Sequence, residues 1–457
     1  MRKSIFAKVF SLVLAITIVV PAFGGVAAQD APATVVDIVV NSEDHNTLET
    51  AVVAAGLVEA LSNPDAEFTV FAPVDAAFAD LPSIVVEAAL ANTDLLTSLL
   101  TYHVVEGRIL SGDIAEGCTD VETLNGATIT VCNDMGNVTV NSATVTAADL
   151  EAGNGVVHVI DRVIIPPVEL PAVDPSTISG PIITAGSSTV APLTTAVAQR
   201  WQDAGGVDVP TVDSIGTGAG FERFCEALES DISNASRPIR DSEIETCVAN
   251  GRVPLEIRVG TDALAVTVSA ENDFVDNLTL EQLAAIFSGQ VETWADVNPD
   301  WPDEEILLYS PGTDSGTFDY FVEAVLDENA DALLNANPEL SENDDVLVEG
   351  VSGSPFAIGY FGYAYYIENT DILHIVDIEG VTPSAANVDN GSYPLARPLF
   401  IYTTAEIMAE KPQVAAFVAF YLNNLDEALA EVGYFPANAD DENVAKLSWL
   451  IATGNIG

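Results

Sequence analysis

The sequence predicts a multidomain chain, an α+β unit followed by a longer α/β unit of two lobes, and three observations carry the prediction. A segment rich in proline, IPPVELPAVDPSTIS (165–179), has no periodic apolar pattern and reads as a stiff, extended linker. Before it, alternating apolar residues in FTVFAP (68–73) and VVHVIDRVII (156–165) read as buried strands, and TLETAVVAAGLVEAL (47–61) as an amphipathic helix. After it, three stretches share one order, an apolar strand, a turn of glycines and hydroxyls, then a helix: ITAGSSTVAPLTTAVAQRW, VDSIGTGAGFERFCEAL and LLYSPGTDSGTFDYFVEAV. The expected divisions are 1–28, an export signal; 34–167, the first unit; 168–179, the linker; and 180–457, the second unit.

The export signal is read from Arg2, Lys3 and Lys8 before an apolar run from Val9 to Val20, with small residues suited to cleavage after Ala28. No cysteine stands at the cleavage site to take a lipid anchor. No later stretch is apolar for the ~18 residues a membrane span needs, so the expectation is a periplasmic or extracellular, cell-surface protein. The chain has 69 Asp+Glu against 14 Lys+Arg, a formal net charge of −55. Such a surface repels nucleic acid and anionic lipid. With 49% hydrophobic residues over 457 positions the chain is no disordered acidic tail.

The four cysteines fall as two sequence neighbours, Cys118 with Cys132 and Cys225 with Cys247, and in an exported chain disulfides are expected. Asn125-Gly126, between the first two, supplies the turn of a hairpin that would set those thiols opposite each other. A metal site is disfavoured, since no CxxC or histidine cluster accompanies them.

A strand that delivers the chain to a helix start presents unpaired N–H groups and the positive end of the dipole, and glycine lets an anion approach the backbone. Three such junctions in one domain point to an anion site. Local donors at a few ångströms outweigh a diffuse, salt-screened repulsion, so an acidic chain can hold one. Six arginines, Arg200, Arg223, Arg237, Arg240, Arg252 and Arg258, lie in the region of two of the junctions. Most suit surface ion pairs; Arg237, in a turn before Pro238, is the one expected at the anion.

Three ordered motifs, FTVFAPVDAAF (68–78), LLTYHVVEGRI (99–109) and GNGVVHVIDRVIIPP (153–167), resemble the fasciclin family over nearly all of residues 34–167. The resemblance implies an adhesion or matrix module with an extracellular partner of unknown identity and no catalysis. His103 and His158 within it read as hydrogen-bonded core histidines rather than ligands.

From about Gly180 onward AGSSTVAP, IGTGAGFERF, DISNASRP, PGTDSGTFDYF, AIGYFGYAYY and NGSYPLARPLFIY, in that order, resemble the PstS-type phosphate-binding proteins of ABC transporters, which have the type II periplasmic-binding-protein fold. The resemblance implies inorganic phosphate as ligand, an ABC permease as partner, no cofactor and no enzymatic activity. It also implies phosphate contacts from Ser188, Thr189, Thr217, Ser315, Gly316 and Thr317. Two departures stand out. Many members carry a proton-accepting Asp where this chain has Ser236, and an Arg where it has Pro311. Arg237 could supply the cation, and Asp314 or Asp262 the carboxylate that favours phosphate over sulfate. One lobe is expected over Gly180–Gly260 with the C-terminal portion, the other over Thr261–Ile372, joined by two crossovers.

Rival readings of the same turns are weak. The glycines of IGTGAG follow GxGxG rather than the dinucleotide GxGxxG. A hydrolytic serine in GTDSGT needs a base, and only His374 lies in this half of the chain. The alternative of another class is an extracellular adhesion protein whose second domain has a non-transport or broader oxyanion-binding role.

Overall fold

The computed structural model describes residues 34–313 and 315–456. The expected export signal and Asp314 lie outside the described residues. Among those described, no single helix is long and apolar enough to cross a membrane. They form two compact units: one holds the chain up to Asp80 with Leu90–Ile164 and Arg240–Glu245, the other Leu81–Ala89, Ile165–Ile239 and the chain from Thr246.

In the first unit FTVFAP and GVVHVI become the parallel strands Phe68–Pro73 and Gly155–Ile160, second and third from one edge of a seven-stranded sheet and almost wholly buried. Helices cover this sheet. The single helix read over 47–61 is two, Asn46–Ala54 and Val58–Leu61, because Gly56 takes φ +70° and ends the first. The hairpin Gly117–Glu122 with Thr128–Asp134 sets Cys118 opposite Cys132, and the two are bonded. Only Gly126 of the Asn-Gly pair adopts positive φ; the Asn125 amide instead donates to Ser98.

The second unit is built on one mixed sheet of nine strands. Ile183–Gly186 lies between Thr211–Ser214 and Ile232–Ala235, all three parallel. The long strand Leu255–Ser269 then pairs along its first half with Ala396–Thr403 and along its second with Ala357–Gly362. Each half has its own apolar core. One core runs from Ile182 to Val259 and resumes at Leu399; the other spans Ala263 to Leu395. Two antiparallel crossings, at 260–262 and 396–398, therefore join the lobes. The second crossing comes later in the chain than Ile372. Leu373–Ile375 adds a strand to the long one, and Val376 and Ile378 fill the second core, which keeps this stretch in the second lobe.

The proline-rich segment lies against the first lobe. The Ile165 and Val168 amides donate to Asp440 Oδ1 (3.0 Å) and Asn443 Oδ1 (2.9 Å), Pro171 O accepts from Asn423, and Leu170, Val173 and Ile178 pack on the core. Prolines leave few amides to satisfy, and polar side chains take those that remain. Cys225 and Cys247 are bonded within the same core.

Candidate functional site

All three strand–turn–helix readings hold. Ile183–Gly186 leads through Ser187–Thr189 into the helix Val190–Asp203, Thr211–Ser214 into Thr217–Phe221, and Leu307–Pro311 into Gly316–Val325. The first two turns are adjacent because their strands are parallel neighbours, and Gly186 O accepts from both Ile215 N and Gly216 N at 2.9 Å. A Cβ on Gly220 would lie 2.5 Å from Gly186 Cα, so only glycine permits this approach. The next strand, Ile232–Ala235, delivers Ser236 beside Thr217, with the hydroxyls 3.2 Å apart and Ser236 N donating to Thr217 Oγ1 at 3.3 Å. Arg237 follows, half-buried, with its guanidinium 5.5 Å from the Phe221 ring centre.

The third turn arrives from the other lobe. A Cβ on Gly316 would come within 3.0 Å of Thr189 Cα, N and Oγ1, and Ser188 Oγ donates to Asp319 Oδ2 at 3.2 Å. Ser315 caps the helix by accepting from Thr317 N. Thr189 thus meets Gly316, flanked in sequence by Ser315 and Thr317, across the lobes, and Ser188 meets Asp319, while Thr217, Ser236 and Arg237 gather on the first lobe. Ser188, Thr217, Ser236, Ser315 and Thr317 are all half-buried, neither sealed in a core nor open on a surface.

Asp262 is placed differently from the hydroxyls. It is 1% exposed, and its Oδ2 accepts from Arg397 Nε (3.3 Å) and Nη2 (3.2 Å). Burial pushes its carboxyl above the usual carboxylate range, and the Arg397 charge pulls it back. Arg397 itself was not singled out in the sequence. Its signal was there: one cation inside the apolar run PLARPLFIY, where a buried charge demands a buried counter-charge.

Four of the other arginines have structural duties. Arg200 pairs with Glu431, Arg223 with Asp213 and Arg258 with Asp441, while Arg252 donates to Phe224 O and Ser230 O. Two histidines of the first unit, His103 and His158, are likewise committed to backbone. His103 Nδ1 meets Leu99 O and its Nε2 accepts from Ile164 N; His158 Nε2 meets Ile109 O and its Nδ1 accepts from Asp149 N.

With this geometry in place, likeness to known proteins is informative. The PBP superfamily domain matches residues 171–424, more than half of the chain. The chain belongs to the PBP superfamily. Ahead of that match this PBP superfamily member carries a Fasciclin domain over residues 43–166. Among its relatives is Protein SphX of Synechocystis, 39% identical over 288 residues that cover 61% of this chain and 84% of SphX. The phosphate-binding protein PstS of Staphylococcus saprophyticus is 37% identical over 274 residues, 58% of this chain and 84% of PstS. A crystal structure of "a possible phosphate binding protein" from Planctomyces limnophilus superposes with a TM-score of 0.56 at 37% identity, covering 60% of this chain and 99% of that one. The family start at 171, inside the proline-rich segment, agrees with the packing of Val173 and Ile178 on the first lobe.

Proposed function

We propose that this is an exported, non-enzymatic substrate-binding protein that captures inorganic phosphate between the lobes of its PBP unit for an ABC importer, with its fasciclin unit contacting an extracellular partner. The observation that carries the reading is the meeting of Thr189 of one lobe with Gly316 of the other, with Ser188 donating to Asp319 one turn further on. Hydroxyls and backbone amides there would donate to the phosphate oxygens, Thr217 and Ser236 would add donors from the side, and Arg237 would supply the charge. Relatives named for phosphate binding support the choice of ligand.

The carboxylate that accepts the proton of hydrogen phosphate is proposed to be Asp314. The rival position, Asp262, is occupied by Arg397. A carboxylate facing sulfate finds no proton to accept and repels it, so phosphate is selected. Equilibrium dialysis of the purified protein with labelled phosphate, chased with excess sulfate at neutral pH, tests the proposal. Retention of phosphate is expected. Ready displacement would leave a general oxyanion receptor, the form that suits an adhesion protein without transport.

A further inference from the structure

Asp262 and Arg397 sit where the chain passes between lobes. They are direct partners in the register of Leu255–Ser269 against Ala396–Thr403, and the two apolar cores stop on either side of them, at Val259 and Leu399 and at Ala263 and Leu395. Their side chains are 2% and 8% exposed. A pair of opposite charges this buried, set on a hinge rather than on a protein surface, is costly in desolvation and by itself adds little stability.

Its contacts show what else it does. Arg397 Nη2 has two protons and three oxygens in reach: Asp262 Oδ2, Gly316 O at 3.0 Å, and Thr189 Oγ1. Thr189 belongs to the first lobe and Gly316 to the second. The guanidinium also lies 3.9 Å from the ring centre of Tyr320, one turn into the helix that Gly316 begins, and Tyr434 Oη donates to Thr189 O at 2.9 Å. One planar cation therefore spans both sides of the cleft, held in place by a carboxylate on the neighbouring crossing. A hydroxyl that accepts from an arginine has its single proton left to give, and Thr189 Oγ1 makes no other hydrogen bond within the described residues.

We propose that Arg397, anchored by Asp262, is a positioning residue of the anion site: it ties the Thr189 turn of one lobe to Gly316 of the other and turns the Thr189 hydroxyl into an obligate donor toward the cleft. The inference deepens the reading of an anion receptor and rests on it for the second role only; the tie between lobes stands without any ligand. Lysine keeps the charge beside Asp262 but lacks the planar fork that reaches two further oxygens.

The test uses the full chain with spin labels at two exposed positions, one on each lobe, Gln202→Cys and Glu349→Cys. Distances between the labels are measured with and without inorganic phosphate, beside calorimetric titration of the unlabelled protein. Arg397→Lys is expected to broaden the phosphate-free distance distribution and to weaken phosphate binding about tenfold or more. Thr189→Val leaves the buried pair intact and is expected to broaden the distribution in the same way. In its background Arg397→Lys should cost less than about twofold further, because the arginine acts through that hydroxyl. Unchanged distributions in both variants, or losses that simply add, would overturn the proposal. If the wild-type protein binds no phosphate, the phosphate reading falls, and the distances alone still decide whether the tie exists.

Discussion

The two units treat their buried polar groups in opposite ways. In the fasciclin unit every ring nitrogen of His103 and His158 is spent on backbone, so neither imidazole is left to meet a ligand. In the PBP unit Ser188, Thr217, Ser236, Ser315 and Thr317 are half-buried on the two lobes, and the deeply buried Arg397 reaches from Thr189 of one lobe to Gly316 of the other. Histidines spent on backbone serve packing, whereas half-buried hydroxyls carried on two lobes are what the proposed anion site requires. Buried ionisable groups of opposite character should therefore make the two units respond oppositely to acid.

Burial lowers the His103 imidazole to about 4. In the unfolded chain an imidazole titrates near 6.5, so between these values the unfolded state holds more protons. The fasciclin unit should accordingly lose stability as pH falls from about 7 to 4, by roughly 3 kcal/mol in total. In the PBP unit burial raises Asp344 to about 6, helped by Asp345 and Glu342. Its contribution is present below the unfolded carboxylate value and fades as pH rises through about 6. All four tryptophans lie in the PBP unit, so fluorescence follows that unit alone while far-ultraviolet circular dichroism follows both. Urea melts at pH 7 and pH 5 should show the fasciclin transition moving down, and His103→Gln should remove that movement. An acid-insensitive fasciclin transition in the wild-type chain would mean that His103 is not a buried neutral imidazole.

What the sequence showed and what it hid divide by distance along the chain. Strand, turn and helix follow one another within about twenty residues in each anion-type junction, and the cysteines of the 118–132 hairpin are joined by one turn, so these were readable from local chemistry. The Asp262–Arg397 pair spans 135 residues and exists only because two crossing strands adopt one register. Residues 373–395 look like a return to the first lobe until the pairing of Leu373–Ile375 with the long strand is known. The break at Gly56 was a local signal that the apolar period concealed, since the pattern continues across it.

The PBP unit has two kinds of arginine. Those that pair with surface carboxylates, such as Arg200 with Glu431, should matter little to ligand binding. Arg237 is expected to contribute a charge-assisted contact in a partly desolvated cleft, so Arg237→Ala should weaken phosphate binding by about 2 kcal/mol. Titration calorimetry on Arg237→Ala and Arg200→Ala, side by side, measures the contrast. Equal affinities for the two variants would remove Arg237 from the proposed site.

The smallest expected effect concerns the boundary between the two behaviours. A chain shortened to begin at Pro175 keeps every residue proposed to touch phosphate, so its affinity should match that of the full chain. It loses Leu170 and Val173 from the surface of the first lobe's core, and with them the Pro171 carbonyl that accepts from Asn423. Two partly buried aliphatic side chains are together worth roughly 1–3 kcal/mol. A chain beginning at Ile165 retains them and should melt several degrees higher. Comparing the two shortened chains by thermal denaturation and by phosphate titration separates the possibilities. Equal stability would mean that the docked segment is only a tether, and a loss of affinity would mean that the fasciclin side of the chain helps to shape the cleft. The expected result, lower stability with unchanged affinity, would make the proline-rich segment part of the PBP unit's packing and no part of its binding chemistry.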